Sequence, residues 1–413
     1  MDSLKFFVPK QYAPYAKERI ESIAELNNCS LTKSIKDADM IFASHFKGRV
    51  EGKADFDQAE AEKLYNSIDH SSQYINWIYG LECLDSKQCN YLLMKELYKK
   101  NGCSIQESLP EIIPTQYDLT NKTQCLLFKN SQSNNHYLAK GAESQMGEDI
   151  YVINQKDVDC KSNMLEVDGK ELSISEKKFQ AQRLVIPLLL DGEVSTFRIY
   201  ILIFYVKKHG FVCYYYHPGY AYSSGKKFKK GDFSIDNILA NKGDVRGWEA
   251  DQIDEELIKQ KKLKKGESFM KKLDKNSFGG KVKFILDVVM KSFLSKFKRD
   301  SKVFAVLGCD ILVDDNYNCY WIDPNISARF GPWAQPQWEA AMKIVIGTNE
   351  GKLTPVLGKY TNVIQSSFPL RKDVTVSGSG EWLCVFIEKK TNRKISCKRR
   401  KLVKTTTRKI KRN

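Results

Sequence analysis

Strand-forming segments separated by short turns dominate residues 183–323 and constrain the fold more than any other feature of the sequence. Five segments are rich in β-branched and aromatic residues: 183–190, 197–206, 211–216, 303–313 and 319–323. After the first of them, Asp191-Gly192 is typical of a two-residue hairpin turn, whose central positions favour Asp, Asn and Gly. The sequence therefore predicts an antiparallel sheet in the second half of the chain.

Apolar residues at helical spacing predict two helices. Residues 87–100 form the first, with these expected buried positions: Leu92, Leu93, Leu97 and Tyr98. The second is expected to pack on the sheet through an apolar stripe: Val282, Phe284, Ile285, Val288, Val289, Phe293 and Phe297. Between the sheet strands and this stripe, the Lys-rich residues 250–275 predict a surface helix or an insertion.

The order of elements divides the chain into four predicted parts. They are an N-terminal α/β domain, a central part, a C-terminal part and a basic, partly disordered tail: residues 1–80, 81–180, 181–365 and 366–413. The central part contains the first helix and two short strands, 137–140 and 150–153, on either side of a loop. The C-terminal part contains the predicted sheet.

The positive charge of the chain is concentrated in the tail. Residues 389–413 contain 13 of the 66 Lys and Arg residues and no acid, which leaves 53 basic residues against 50 acidic ones elsewhere. Such a run attracts polyanions, including acidic protein surfaces and RNA. Because no aromatic residue is interleaved for base stacking, we expect an acidic protein partner rather than nucleic acid.

Nothing in the composition suggests secretion or membrane insertion. The apolar runs 184–190 and 199–206 are far shorter than the roughly 20 residues that span a bilayer, and no signal peptide opens the chain. The 11 Cys residues show no Cys-x-x-Cys spacing, so we expect reduced thiols and no zinc site. These features predict a monomeric cytoplasmic protein without membrane contact.

The last predicted hairpin brings two acidic residues together. If its turn is centred between Asn316 and Tyr317, Asp310 lies directly opposite Asp323. Cross-strand partners have Cβ atoms roughly 5 Å apart, so the two carboxylates repel unless a cation or a proton lies between them. Asn325 projects on the same side if the strand stays extended, and these oxygen ligands suit Mg²⁺ bound with nucleotide phosphates. The alternative is an exposed hairpin with solvated acids.

A series of short motifs along residues 80–350 resembles the tubulin–tyrosine-ligase-like family. Residues 321–325 (Trp-Ile-Asp-Pro-Asn) resemble its Trp-x-Glu-x-Asn motif, with Asp in place of Glu. Residues 182–200 resemble its segment Gln-x-Tyr-Ile…Pro-Leu-Leu-Ile-x-Gly…Asp-x-Arg-x-Tyr, and residues 137–150 its phosphate-covering loop. Lys87 occupies the place of a Lys in the family's early basic helix. Each motif is short, and their order makes the series specific.

The resemblance implies an α+β ATP-grasp fold, in which two α/β subdomains, residues 81–180 and 181–365, clasp ATP. The implied nucleotide-binding residues are Lys87, Lys140, Ser144, Gly147, Gln182, Arg183, Leu184 and Asn241. Arg198 is the implied catalytic residue, holding the γ-phosphate or an acyl-phosphate. The implied metal ligands for one or two Mg²⁺ are Asp310, Asp323 and Asn325.

Several positions depart from the family pattern, and two functions follow. Charged or polar family residues are replaced at Val194, Thr196, Tyr222, Ile238 and Ala240. The first hypothesis is a ligase that uses ATP to add a free amino acid (Glu, Gly or Tyr) to a protein such as tubulin, associated with the cytoskeleton or cilium. The second is a catalytically impaired pseudoenzyme that binds microtubules or another acidic partner.

Overall fold

The computed structural model describes the chain in a series of ranges: residues 4–26, 28–47, 54–55, 57–103, 109–131, 136–141, 149–207, 209–240, 245–299, 302–326, 338, 341–342, 344–345, 370–375 and 381–388. Three of the expected nucleotide-binding residues, Ser144, Gly147 and Asn241, lie outside the described residues. The basic segment 389–413 lies outside them as well.

Strands and short helices alternate along the described chain. The strands are β1 (Lys5–Phe7), β2 (Ser30–Thr32), β3 (Met40–Ile41), β4 (Phe46–Lys47), β5 (Ala54–Asp55), β6 (Tyr74–Ile75), β7 (Gln116–Asp118), β8 (Tyr137–Lys140), β9 (Ile150–Ile153), β10 (Val158–Asp159), β11 (Met164–Val167), β12 (Lys170–Ser173), β13 (Gln180–Arg183), β14 (Leu189–Leu190), β15 (Glu193–Val206), β16 (Gly210–His217), β17 (Tyr220–Lys227), β18 (Arg246–Trp248), β19 (Phe304–Val313), β20 (Cys319–Asn325), β21 (Leu370–Thr375) and β22 (Glu381–Ile387). The α-helices are α1 (Pro14–Leu26), α2 (Gln58–Asn66), α3 (Glu82–Asp85), α4 (Lys87–Lys100), α5 (Lys122–Lys129), α6 (Ile174–Lys177), α7 (Ile235–Ile238), α8 (Ala250–Lys259) and α9 (Phe278–Phe293).

The N-terminal part contains a parallel sheet in the order β2-β1-β3-β6. Helix α1 begins at Pro14, a residue suited to a first helical position because the N–H that it lacks has no partner there. The sheet joins the rest of the molecule at Ile75, which forms a bridge with Val303. Its apolar core is therefore continuous with that of the large sheet described below. Strands and helices alternate in the described part of residues 1–80.

A second sheet, in the order β7-β13-β8-β9, is antiparallel and is called the small sheet here. Its strands β8 and β9 have the bounds expected for 137–140 and 150–153. Because side chains alternate between faces, Ala139 and Ala181 pack with Phe128 in a core of their own. The opposite face carries polar residues in register: Gln116, Asp118, Lys140, Gln180 and Gln182.

The large sheet is organised around β15, which is 14 residues long. One edge of β15 pairs with β17 near its start and with β16 near its end, and β19 pairs with the other edge. Strand β20 adds to β19, and β22 adds to β16. The antiparallel sheet predicted from the strand-forming segments is thus present, within a mixed α/β architecture of several sheets.

The expected strand 183–190 is wrong, because this segment crosses from one sheet to the other. Arg183 pairs with β8 in the small sheet, whereas Leu189 pairs with β15 in the large sheet. Pro187, which has no N–H for a ladder, lies in the crossing. The turn that follows is confirmed, since Asp191 and Gly192 have φ values of 49° and 73°.

Helix α4 has the bounds that the sequence predicts, and its buried face differs at one residue. Leu93 and Tyr98 are buried and Leu97 is partly buried, but Leu92 is exposed. The predicted apolar stripe of α9 is likewise buried except at Phe284. Phe284 is two positions after Val282 and therefore roughly 200° around the helix from that buried residue.

The last hairpin combines the predicted pairing with a bulge. Asp310 pairs with Asp323 as expected, but Ile311 pairs with Trp321, which leaves Ile322 as an extra residue between the two pairs. A bulge adds one residue to one strand and so shifts the register. The turn is therefore centred on Asn316, half a residue earlier than expected. The extra residue Ile322 compensates for this shift, so Asp310 still pairs with Asp323.

Two further findings depart from the sequence-based expectations. Strand β22 lies within the segment expected to be a basic tail, yet Trp382 and its neighbours are buried against β16. Among the described cysteines, Cys83 forms a disulfide with Cys89 and Cys125 with Cys160, and Cys103 is disulfide-bonded as well, so the expectation of free thiols is wrong for these five. In the described parts of the chain, none of the helices has the length and apolarity needed to cross a membrane.

Candidate functional site

A cleft of about 130 Å³ lies between the polar face of the small sheet and the large sheet. Seven expected site residues line it: Lys87, Lys140, Gln182, Arg183, Leu184, Asp310 and Asp323. They come from α4, β8, β13, the crossing segment, β19 and β20. Two other expected residues lie beside this lining, because Arg198 contacts Asp310 and Asn325 is exposed at the end of β20.

Four side chains form a row across the strands on the large-sheet side of the cleft. Arg198 pairs with Tyr220 on one edge of β15 and with Asp310 on the other. Asp310 in turn pairs with Asp323. Because directly paired residues point to the same face of a sheet, the register alone brings these charged groups together.

Both carboxylate oxygens of Asp310 accept hydrogen bonds, which come from Arg198 and Tyr222. Arg198 Nε donates to its Oδ1 at 2.6 Å and Nη2 to its Oδ2 at 3.1 Å, while the Tyr222 hydroxyl donates to Oδ2 at 3.1 Å. Burial raises the pKa of the Asp310 carboxyl, and Arg198 acts against that rise. Burial also opposes the charge of Arg198, but Asp310 outweighs it, so the pKa of the guanidinium is well above its usual range. The bidentate geometry is that of an ion pair.

Asp323 is the accessible carboxylate of the pair. Its side chain is 49% exposed, and Lys87 Nζ lies 3.9 Å from its Oδ1. Asn325 is two residues further along β20 and therefore projects to the same face. Helix α4 holds Lys87 at this position because Ser86 caps the helix, accepting a hydrogen bond from the N–H of Cys89.

The donor set fits a magnesium ion that arrives with phosphates. Mg²⁺ in nucleotide sites usually takes one or two carboxylates and fills its remaining positions with phosphate oxygens and water. Asp323 lines the cleft and is half-exposed, and Asn325 is exposed at the end of β20. Asp310 would join them by sharing its second lone pairs or by releasing Tyr222.

Lys140 is the cation of the small-sheet side. Its Nζ donates to Gln182 Oε1 at 2.7 Å. Burial lowers the pKa of this lysine to about 8; nearby Asp323 acts against that change and Lys87 reinforces it. A lysine at the wall of a cleft whose direct hydrogen-bond partner among the described residues is a neutral amide is suited to binding an anionic group such as phosphate.

The positions that depart from the family pattern also meet in this region. Thr196, Tyr222, Ile238 and Ala240 line the cleft, whereas Val194 is buried within the large sheet. The cleft wall that carries Asp310 is therefore more apolar and less cationic than the resemblance implies. Tyr222 is also a residue whose role the sequence did not reveal, because its hydrogen bond to Asp310 spans two strands that are far apart in the chain.

Gln116 and Gln180 are further polar residues that the sequence analysis did not single out. Both are buried on the cleft-facing side of the small sheet. The sequence carries one signal for them, since Gln180 and Gln182 are two apart in a strand and must share a face.

Comparison with known proteins identifies the family. A family model described as "Tubulin-tyrosine ligase family" matches residues 66–336, which is more than half of the chain and contains every residue of the cleft. The comparison with curated proteins gave no match. Because the matched region holds the cleft, the small sheet, the acidic hairpin and all strands of the large sheet except β21 and β22, this chain belongs to the tubulin–tyrosine ligase family.

Proposed function

We propose that this protein is an ATP-dependent ligase that joins a free amino acid to a protein such as tubulin. Family membership indicates ATP-dependent ligase activity on proteins. The observation that carries the proposal for this chain is the cleft, which gathers Lys87, Lys140, Asp310 and Asp323 from four separate elements. Cations on one side and carboxylates on the other form the arrangement that a metal-bound triphosphate needs.

The small sheet and the crossing segment would bind the nucleotide. In the proposed ATP-grasp arrangement, residues 81–180 and 181–365 are the two subdomains, and residues 182–184 form the hinge beside adenine. Lys140 would contact the α- and β-phosphates, and Lys87 would approach from α4. Ser144, Gly147 and Asn241 complete the proposed set on the strength of the family motifs alone.

The large sheet would hold the reacting end. Asp310, Asp323 and Asn325 would bind Mg²⁺, which would neutralise the phosphates and stabilise charge that develops during transfer. Arg198 would hold the γ-phosphate or the acyl-phosphate, once a carboxylate of the acceptor had been phosphorylated and before an amino group displaced the phosphate. Its ion pair with Asp310 sets the direction of the guanidinium.

The proposal that tubulin is the partner depends on attraction between opposite charges. Tubulin tails are acidic, and residues 389–413 carry 13 basic residues and no acid. Electrostatic attraction between them would speed association and weaken with added salt. On this proposal the protein acts as a monomer in the cytoplasm, in association with microtubules.

The test is incorporation of a labelled amino acid into purified tubulin by the full-length protein with Mg·ATP. Glu, Gly and Tyr are supplied separately, with an Asp323→Asn protein as the inactive control. Incorporation that depends on Mg·ATP supports the proposal. A folded protein that incorporates none of the three into tubulin contradicts it.

The second candidate, a pseudoenzyme, is favoured by one observation. Both oxygens of Asp310 are engaged by Arg198 and Tyr222, so the reacting end is internally neutralised. This candidate predicts that Mg·ATP raises the melting temperature and that microtubules bind the protein without any incorporation. A melting temperature that does not respond to Mg·ATP contradicts both candidates.

A further inference from the structure

A chain of buried amides runs inward from the cleft, and every amide in it points the same way. Lys140 Nζ donates to Gln182 Oε1 at 2.7 Å, and Gln182 Nε2 donates to Gln116 Oε1 at 3.5 Å. Gln116 Nε2 donates in turn to Gln180 Oε1. The chain ends at Gln180 Nε2, a buried donor that has no partner in the described structure.

Two other unpartnered polar atoms lie at the same place. The indole Nε1 of Trp321 and the amide Oδ1 of Asn90 are both buried and without a partner among the described residues. The other end of the Asn90 amide donates to Leu84 O at 3.3 Å, which fixes Oδ1 as the atom that faces away. These residues line one small compartment together with Gln116, Gln182 and Lys140. A buried donor or acceptor that lacks a hydrogen-bond partner lowers the stability of the folded state by about 1–3 kcal/mol for each group.

The size and the chemistry of this compartment admit one kind of occupant. Its volume is about 10 Å³, close to the smallest volume, about 10–15 Å³, that holds one water molecule. Two of its unpartnered atoms are donors and one is an acceptor. A cation is excluded by the two N–H groups and an anion by the Asn90 carbonyl, whereas water accepts from two donors and donates to one acceptor.

We propose that Asn90, Gln180 and Trp321 bind a single ordered water molecule, and that this water completes a positioning chain which orients Lys140 toward the cleft. Gln116, Gln180 and Trp321 are then positioning residues, because they act on the ligand only through Gln182 and Lys140. The water completes the chain at its inner end. The inference rests on the proposed function to the extent that Lys140 binds nucleotide phosphate.

Substituting one at a time the residues that bind the water would weaken the chain of hydrogen bonds from its inner end. Hydrogen bonds in such a chain polarise one another, so the loss of an end partner weakens the bonds that follow. Trp321→Phe removes a single donor and keeps an aromatic ring in the core. Trp382→Phe is a matched control, because Trp382 is also fully buried with an Nε1 that has no partner in the described part of the chain, but it does not line the compartment.

The first measurement is independent of nucleotide. A high-resolution crystal structure of the full chain is expected to show one water within hydrogen-bonding distance of Gln180 Nε2, Trp321 Nε1 and Asn90 Oδ1. Reaction of the Lys140 amine with acetic anhydride, followed by mass spectrometry, is expected to change in rate by about three- to tenfold in Trp321→Phe and to be unchanged in Trp382→Phe. Absence of the water, or equal rates in the two variants, would overturn the inference.

The second measurement separates this inference from the proposed function. The Kd for Mg·ATP is expected to rise by about three- to tenfold in Trp321→Phe and in Gln180→Glu, which keeps the acceptor for Gln116 but loses the donor to water. The urea midpoint is expected to fall in Trp321→Phe, which loses a hydrogen bond to the water, and not in Trp382→Phe, whose Nε1 has no partner among the described residues. If the unaltered protein fails to bind Mg·ATP, the proposed function is wrong, and the crystal structure and acetylation rates still decide the inference.

Discussion

The charged side chains on the two walls of the cleft have different kinds of partner. Neutral amides hold the cation on one wall, and an ion pair forms on the other. On the small-sheet wall, the Lys140 ammonium donates to a neutral amide, Gln182, which is held by further amides. On the large-sheet wall, the Arg198 guanidinium and the Asp310 carboxylate neutralise each other, with Tyr222 as a third partner. Within the described residues, one wall thus offers a cation whose direct partner is a neutral amide, and the other offers a closed ion pair beside the accessible Asp323.

This difference indicates how a ligand must act on each wall. An anionic phosphate that reaches Lys140 gains a charge-assisted hydrogen bond without breaking an ion pair. A metal ion that reaches Asp310 must share that carboxylate with two donors already in place. On the proposed function, the small-sheet wall would therefore bind the nucleotide, and the large-sheet wall would decide whether binding leads to chemistry. Four experiments test this contrast.

The largest effect is expected from Asp310→Asn, which would leave Arg198 buried without an anionic partner. Breaking a buried ion pair on one side costs about 3–5 kcal/mol, so the free energy of unfolding in urea should fall by that order. Mg·ATP-dependent turnover should be lost as well. In the control, Arg198→Met with Asp310→Leu, stability should largely return while turnover stays absent. Unchanged stability in Asp310→Asn would show that the wall is not held by this pair.

Asp323→Asn is expected to separate function from stability. Because Asp323 is half-exposed, its loss should change the free energy of unfolding by no more than about 0.5 kcal/mol. Turnover with Mg·ATP should nevertheless fall by about 10²-fold or more, since a group that neutralises transition-state charge is removed. Equal losses of stability in Asp310→Asn and Asp323→Asn would break the contrast between closed and accessible carboxylates.

The small-sheet wall predicts a pH dependence. Burial lowers the pKa of Lys140 to about 8, so the folded protein loses this charge while the unfolded chain keeps it up to its ordinary pKa. Stability should therefore rise with pH from about 8 upward, while affinity for Mg·ATP falls over the same range. Calorimetric titration should show the fall, and Lys140→Arg should remove it because arginine stays charged. A flat profile in the unaltered protein would contradict the lowered pKa of Lys140.

Tyr222→Phe should have the smallest effect of the four. It should strengthen the response to Mg²⁺, whereas Asp310→Asn and Asp323→Asn lower turnover. Removing the hydroxyl takes away one of the two hydrogen bonds to Asp310 Oδ2 and leaves the one from Arg198 Nη2, so the Mg²⁺ concentration for half-maximal response should fall by about two- to fivefold. Tyr320→Phe is the matched control, because it removes a Tyr–Asp hydrogen bond of the same 3.1 Å length at the hairpin turn, away from the cleft. Equal responses in the two variants would mean that Tyr222 does not compete for Asp310.

Local pattern predicted much of the fold around this site. The bounds of α4, the strands β8 and β9, the turn at Asp191 and Gly192, and the pairing of Asp310 with Asp323 all follow from residues that are close in sequence. The predicted buried positions were wrong where the spacing of an apolar run is compatible with more than one periodicity. Phe284 and Leu92 extend apolar stripes but face solvent, because burial depends on what packs against a helix.

The crossing segment shows a second kind of limit. Residues 183–190 have the composition of one strand, yet their two ends pair with strands of different sheets. Composition reports that a segment is apolar and extended, but it does not report which neighbour supplies the hydrogen bonds. The same ambiguity hid β22, whose pairing with β16 joins distant parts of the chain.

The sequence by itself determined the acidic hairpin, since Asp310 and Asp323 lie close in the chain on either side of a short turn, and the bulge at Ile322 completes their pairing. It also determined the family, through motifs in a fixed order. Only the tertiary structure decided that Arg198 and Tyr222 close over Asp310, and that Asn90, Gln180 and Trp321 meet behind Lys140. The physical reason is that a hairpin is a local contact, whereas these groups meet only when separate sheets and a helix pack together.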